Sequence, residues 1–148
     1  MIRRNAHASC VVLGSKGVMI RGRSGAGKTT LALALIEACR GRGQFARLVA
    51  DDQIWLEARN GRVVAVAPDA IAGLVEIVGV GPSPVAFEAG SVVDLIVDLV
   101  EPAEAARYQD EAACSLEGVQ IRYLNVPERQ VVCAVGAVLS RLDIFPLG

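Results

Sequence analysis

Short apolar runs bounded by turn residues recur along the chain, and most of them predict strands. Ala8–Leu13 and residues 17–20 read as two strands joined by the turn Gly14-Ser15-Lys16-Gly17. Residues 31–39 are rich in strong helix formers, and Arg40-Gly41-Arg42-Gly43-Gln44 then supplies glycines and dipole-compatible basic residues at a helix end. Ala46–Ala50 is a further short strand, and the stretch from Lys28 to Asp51 is long enough for a right-handed strand–helix–strand crossover.

Residues 53–58 and 62–67 flank Asn60-Gly61, the preferred type I′ pair, and predict a hairpin in which Trp55 packs a core. Pro68 closes it, and residues 70–74 look like one helical turn. Residues 75–81 place Glu76 inside an apolar run, where a charge needs a partner, a metal or a solvated face. Pro82-Ser83-Pro84 and the Ala-Gly region after it read as a mobile loop. Residues 91–100 resemble a central strand with Asp94 and Asp98 on one face, although a helix face would also align them. Residues 116–124 predict another strand and residues 130–142 a terminal helix.

Between the second strand and the first helix lies Gly22-Arg23-Ser24-Gly25-Ala26-Gly27-Lys28-Thr29, of the form G-x-x-x-x-G-K-[ST]. Glycines there let consecutive backbone N–H groups curl around a phosphate, and the helix N-terminus points its positive end at the same place. Lys28 reaches the β- and γ-phosphates, the Thr29 hydroxyl completes a Mg²⁺ shell, and Thr30 continues the loop into the helix. The strand before and the helix after supply the context that the motif requires. The fold expected is α/β, a P-loop nucleotide-binding domain with a central mixed β-sheet flanked by helices.

Asp51-Asp52 end an apolar strand one crossover after this loop. That is where such folds put the acid that manages Mg²⁺ or activates a nucleophile, although paired aspartates also suit a solvated turn. His7, the single histidine, precedes the first strand and by position alone is a solvated side chain. Arg107, in a polar segment, is solvated unless it lies near a γ-phosphate, where it would neutralise transition-state charge.

At 148 residues the chain has the length of one domain, and 53 % hydrophobic against 21 % charged residues excludes disorder. A net charge of −1 gives no support for broad nucleic-acid binding. The 4 cysteines are scattered without metal-ligand spacing, so free thiols in a reducing cytosol are expected. With no signal-peptide core and no run of spanning length, the expectation is a cytoplasmic protein without a membrane partner. Absence of an Asn-Lys-x-Asp tetrapeptide disfavours a GTPase switch, and the chain is short for a mononucleotide kinase with an arginine-bearing lid. A kinase requires ATP, Mg²⁺ and one carboxylate to take the acceptor's proton, a need that Asp51 and Asp52 can divide between metal and base.

His7-Ala8-Ser9, the loop Gly22-x-Ser24-Gly25-x-Gly27-Lys28, Leu48-Val49-Ala50-Asp51-Asp52, Ala67-Pro68 and Glu76-Ile77-x-Gly79-x-Gly81 occur in an order and spacing that resembles the catalytic domain of HPr kinase/phosphorylase. The similarity continues more loosely through Arg107 and residues 116–141. It implies that residues 1–148 form a single P-loop kinase catalytic domain. The activity implied is phosphorylation of a serine of the phosphocarrier HPr, with return of that phosphate to inorganic phosphate as pyrophosphate. By position Asp52 resembles the family's base and acid, Asp51 and Glu76 its acidic partners around the metal, His7 its active-site histidine, and Arg107 its phosphate-region arginine. The family's additional N-terminal domain is absent from this sequence, which looks like a short form; a homohexamer is implied. Thr30 stands where the family often has an acid, and Val78 where it has arginine in Glu-Ile-Arg-Gly. Kinase activity is expected to persist and phosphorolysis to weaken. A kinase of the same fold with another protein or small-molecule acceptor, and a non-catalytic nucleotide-sensing module, are the alternatives.

Overall fold

The computed structural model describes residues 2–144. Its first half runs β1 (Arg4–Ala6), β2 (Ala8–Leu13), β3 (Lys16–Arg21), α1 (Lys28–Gly41), β4 (Ala46–Ala50), β5 (Ile54–Arg59) and β6 (Arg62–Val66). Then follow β7 (Leu74–Ile77), β8 (Gly81–Pro84), β9 (Gly90–Val92), β10 (Leu95–Val100), β11 (Ala112–Leu116), β12 (Val119–Pro127) and α2 (Val131–Arg141).

The central sheet has the order β11-β12-β10-β3-β2-β4. Strands β3, β10 and β12 are parallel, whereas β2 pairs antiparallel with both β3 and β4, and β11 with β12, so the sheet is mixed. The crossover through α1 thus returns β4 in the direction of β3, with β2 inserted between them. Both faces of this sheet are covered, which is why its inner strands are apolar at nearly every position. Val11, Leu13, Val18, Ile20, Val97 and Leu124 face the core that they share with α1 and α2. Cys10, Val12, Met19, Val49 and Ile96 face a second core, closed by the antiparallel sheet β1-β5-β6-β9. The two helices contact each other and pack on the first of these cores.

The hairpin β5–β6 forms as its sequence predicts, with Asn60 at φ 50° and Gly61 at φ 75° in the left-handed pair of the turn. Four other expectations need correction. Residues 82–84 are not a loop: β8 pairs with β7, Pro82 and Pro84 standing opposite Glu76 and Leu74 while Gly81 and Ser83 keep the amide-bearing positions. Residues 91–100 are not one strand. β9 belongs to the small sheet and β10 to the central one, and the chain changes sheet at Asp94, whose carboxylate accepts the Gly17 N–H at 2.8 Å while its own N–H donates to the Gly17 carbonyl. Asp98 instead lies in β10, bound to Arg21 and to the Tyr123 hydroxyl. Residues 116–124 are divided by a hairpin turn in which Glu117 and Gly118 both take positive φ. The single helical turn is three residues of 3₁₀ helix at Asp69–Ile71, and Leu74 already starts β7.

The change of sheet at Asp94 explains Gly17. A Cβ there would lie 1.8 Å from the Val92 carbonyl oxygen and 2.6 Å from the Ser91 hydroxyl. Gly17→Ala should cost about 3 kcal/mol or more, the upper end of overpacking penalties, because the blocking atom is backbone. Gly41→Ala, where nothing lies within 4 Å, should shift stability by no more than about 0.5 kcal/mol. Urea denaturation of the two variants checks the contrast.

Candidate active site

Parallel direction brings the carboxyl ends of β3, β4, β10 and β12 to one edge of the central sheet, where open α/β sheets place ligands. The glycine-rich loop leaves β3 there, Asp51-Asp52 leave β4, and β2 begins there with His7 just before it. Gly25 and Gly27 adopt φ 81° and 102°, conformations that cost glycine nothing and turn the loop back onto α1. A cleft of about 800 Å³ opens over this edge, lined by Ser24, Gly25, Gly27, Lys28, Thr29 and Thr30 of the loop and helix start, by Asp51 and Asp52, and by Glu76, Ile77 and Val78 of the β7–β8 hairpin.

Lys28 is buried, with its ammonium donating to the Gly22 carbonyl at 2.9 Å and to the Arg23 carbonyl at 3.3 Å. Its Nζ is 3.6 Å from Oδ1 of Asp52. The same Asp52 oxygen is 2.6 Å from Nε2 of His7; both side chains are half exposed, and Asp52 lines the cleft. Asp52 holds a left-handed φ of 68°, an unfavourable conformation for a residue with a Cβ and a frequent mark of functional positions.

Asp51 points the other way and is buried. Its Oδ1 accepts the hydroxyls of Thr29 at 2.8 Å and Ser9 at 2.9 Å, and its Oδ2 accepts the Glu76 N–H at 3.2 Å. Ser9 in turn accepts the Asp52 N–H at 3.0 Å. One carboxylate therefore joins β2, the first turn of α1, β4 and β7, and the hydroxyl beneath it fixes the backbone of the neighbouring acid. The Glu76 side chain is exposed along the cleft wall.

Of the residues singled out from sequence, the cleft brings together Ser24, Gly25, Gly27, Lys28, Thr29, Thr30, Asp51, Asp52 and Glu76, with His7 on Asp52. Gly22 serves through its carbonyl and Ala26 is buried under the loop. Arg23 turns its guanidinium to Glu128, and Arg107 lies outside the lining of the cleft, exposed with its guanidinium 5.7 Å from the Tyr108 ring. Among the described residues no cluster of three or more His, Cys, Asp or Glu forms a metal cage.

Sequence reasoning gives no role to Ser9, Glu128 or Arg129. Ser9 enters the sequence reading only as part of His7-Ala8-Ser9, with no role of its own; the structure buries its hydroxyl fully in an apolar strand. Glu128 is buried between Arg23, whose Nε donates to it at 3.1 Å, and Arg129, at 3.0 Å. The Arg23 hydrogen bonds, against the cost of burial, hold its carboxyl below the usual glutamate range. Arg129 takes φ 57° and its N–H donates to the Ala26 carbonyl at 3.1 Å, tying the end of β12 to the phosphate loop.

Ser9→Ala removes one donor to Asp51 and the acceptor of the Asp52 N–H, both in a buried place. The variant should lose about 1–3 kcal/mol in chemical denaturation, the cost of leaving buried polar groups unpaired.

Residues 2–142 match the family model described as HPr Serine kinase C-terminal domain. The HPr kinase/phosphorylase of Latilactobacillus sakei is 35 % identical over 146 residues, covering 93 % of this chain and 44 % of its own length. That of Clostridium tetani is 30 % identical over 123 residues, covering 80 % and 38 %. The chain thus spans less than half the length of these curated relatives. A solved structure, the Hpr(Ser) kinase/phosphatase from Coxiella burnetii, superposes with a TM-score of 0.78 at 26 % identity, covering 95 % of this chain and 98 % of that one. The chain belongs to the family of HPr serine kinase C-terminal domains.

Proposed function

We propose that this chain is a P-loop kinase catalytic domain that transfers the γ-phosphoryl group of ATP to a serine hydroxyl of the phosphocarrier HPr. The observation that carries the reading is the position of Asp52. An exposed carboxylate, strained in its backbone, stands at the mouth of the cleft within 3.6 Å of the phosphate-loop lysine and 2.6 Å of a histidine. The names of the relatives supply the acceptor.

The donor set suits Mg²⁺, which takes oxygen ligands and relies on one or two carboxylates plus substrate phosphates rather than a protein cage. Thr29 and Asp51, with oxygens 2.8 Å apart, would hold it, and Glu76 faces the same cleft. When bound, Mg²⁺ neutralises charge on the β- and γ-phosphates. Lys28 then moves its ammonium from the loop carbonyls to the phosphate oxygens. Asp52 accepts the serine proton as the serine oxygen bonds to the γ-phosphorus and the bond to the bridging oxygen breaks, releasing ADP. His7, on the same oxygen of Asp52, orients that carboxylate. Arg107, outside the cleft lining, would serve only if its loop approaches the bound phosphates.

In the reverse direction an oxygen of inorganic phosphate attacks the phosphoserine phosphorus, the serine oxygen leaves with the proton carried by Asp52, and pyrophosphate forms. Val78, 98 % exposed at the tip of the β7–β8 hairpin, puts no charge at the cleft wall, which supports a weaker reverse reaction. Assembly as a homohexamer in the cytoplasm, without nucleic acid or membrane, completes the proposal.

Incubation with Mg-ATP and HPr from the same genome, read by intact mass, tests it. Wild type should add one phosphate to the acceptor; Asp52→Asn should bind ATP normally while its transfer rate falls about 10²–10⁴-fold, as expected for loss of a general base. Transfer undiminished in the variant, or no transfer by a wild type that binds ATP, would overturn the reading. Efficient pyrophosphate release from the phosphorylated acceptor would contradict the weakened reverse reaction.

A further inference from the structure

Behind the phosphate loop lies a second cavity, of about 290 Å³, between the loop, the ends of β10 and β12, and the start of α2. Its inner wall is apolar, made by Leu31, Leu99, Pro127 and Ala134, and at its rim stand the exposed Arg129 and Gln130. Gly25, Gly27, Thr30 and Val131 line both this cavity and the phosphate cleft, so the two spaces meet across the loop. At the lower end of small-molecule pockets, ~300–1,000 Å³, it accommodates a heterocycle rather than a whole nucleotide.

We propose that this cavity seats the nucleoside base of the bound triphosphate, with the Arg129 guanidinium covering the ring. The inference rests on the phosphate-site reading above and adds where the other half of the nucleotide goes. Because Gly25, Gly27, Thr30 and Val131 border both spaces, a triphosphate chain held on the loop can carry its nucleoside across them into the cavity. Apolar atoms at the back exclude water from a planar ring. Arg129 is suited to cover it because its backbone is fixed on the Ala26 carbonyl and its guanidinium is held by Glu128, which retains Arg23 as a further partner. A planar cation pre-ordered in this way stacks on a ring at little entropic cost.

Titration calorimetry with Mg-ATP and with Mg-tripolyphosphate separates base from phosphate. Ala134→Met fills the cavity from the helix side, and Arg129→Gly removes the cover while keeping a residue at ease with positive φ. Ala134→Met should weaken ATP about tenfold and Arg129→Gly about fivefold, whereas tripolyphosphate affinity should change less than about twofold in either. A folded Ala134→Met that binds ATP as wild type does, or loss of both ligands in proportion, overturns the proposal; should that variant not fold, Arg129→Gly decides by the same criterion. Equal affinity of wild type for ATP and tripolyphosphate removes the base from the cavity and leaves the phosphate site standing. Binding of neither removes both.

Discussion

A single buried carboxylate holds the working edge of this domain together. Asp51 accepts two hydroxyls and one backbone N–H, from Thr29, Ser9 and Glu76, and so ties the phosphate-loop helix, β2 and β7 to the end of β4. Leaving such a group without partners in a buried place would be costly, and satisfying it requires all three elements to arrive at one point. The position of the neighbouring Asp52 is a by-product of that requirement. Its N–H is bound to Ser9, its backbone turns left-handed, and its side chain is thereby sent outward into the cleft.

Adjacent aspartates with opposite surroundings can thus do different work. Asp51, inside, is already committed to Thr29, Ser9 and the Glu76 N–H. Asp52, outside, meets a buried ammonium and a half-exposed imidazole on one oxygen. The division follows from the left-handed turn just after β4, which leaves Asp51 against the core and sends Asp52 out of it. On the far side of the loop, Glu128 repeats the device: a buried carboxylate gathers Arg23 and Arg129 and fixes the turn between β12 and α2 against the loop.

Much of this was legible in the sequence because it is local. The phosphate loop, its flanking strand and helix, the Asn60-Gly61 hairpin and the terminal helix are each specified by neighbours a few residues apart. Two kinds of feature were not. Residues 91–100 read as one strand because every side chain fits a strand; that the chain changes sheet at Asp94 depends on Gly17, far away in sequence. Residues 82–84 read as a loop because proline is a poor strand former, whereas a two-stranded edge with amides at alternate positions accepts it. In the site, Lys28, Thr29, Asp51 and Asp52 carry recognisable spacing. Glu128 does not, and Ser9 figures only within the His7-Ala8-Ser9 resemblance, because the roles of both come from what the fold brings to them. His7 gains a role in the sequence only through the family resemblance, and its contact with Asp52 arises from β2 starting beside the end of β4.

If Asp51 is the tie between these elements, its removal should loosen them as a unit. Amide hydrogen exchange of wild type and Asp51→Asn, followed by mass spectrometry without nucleotide, tests this directly. Residues 22–30 and 74–84 should lose protection together, while β11 and β12, at the opposite edge of the sheet, exchange as in wild type. Loss confined to one of the two segments, or spread evenly over the whole chain, would contradict it.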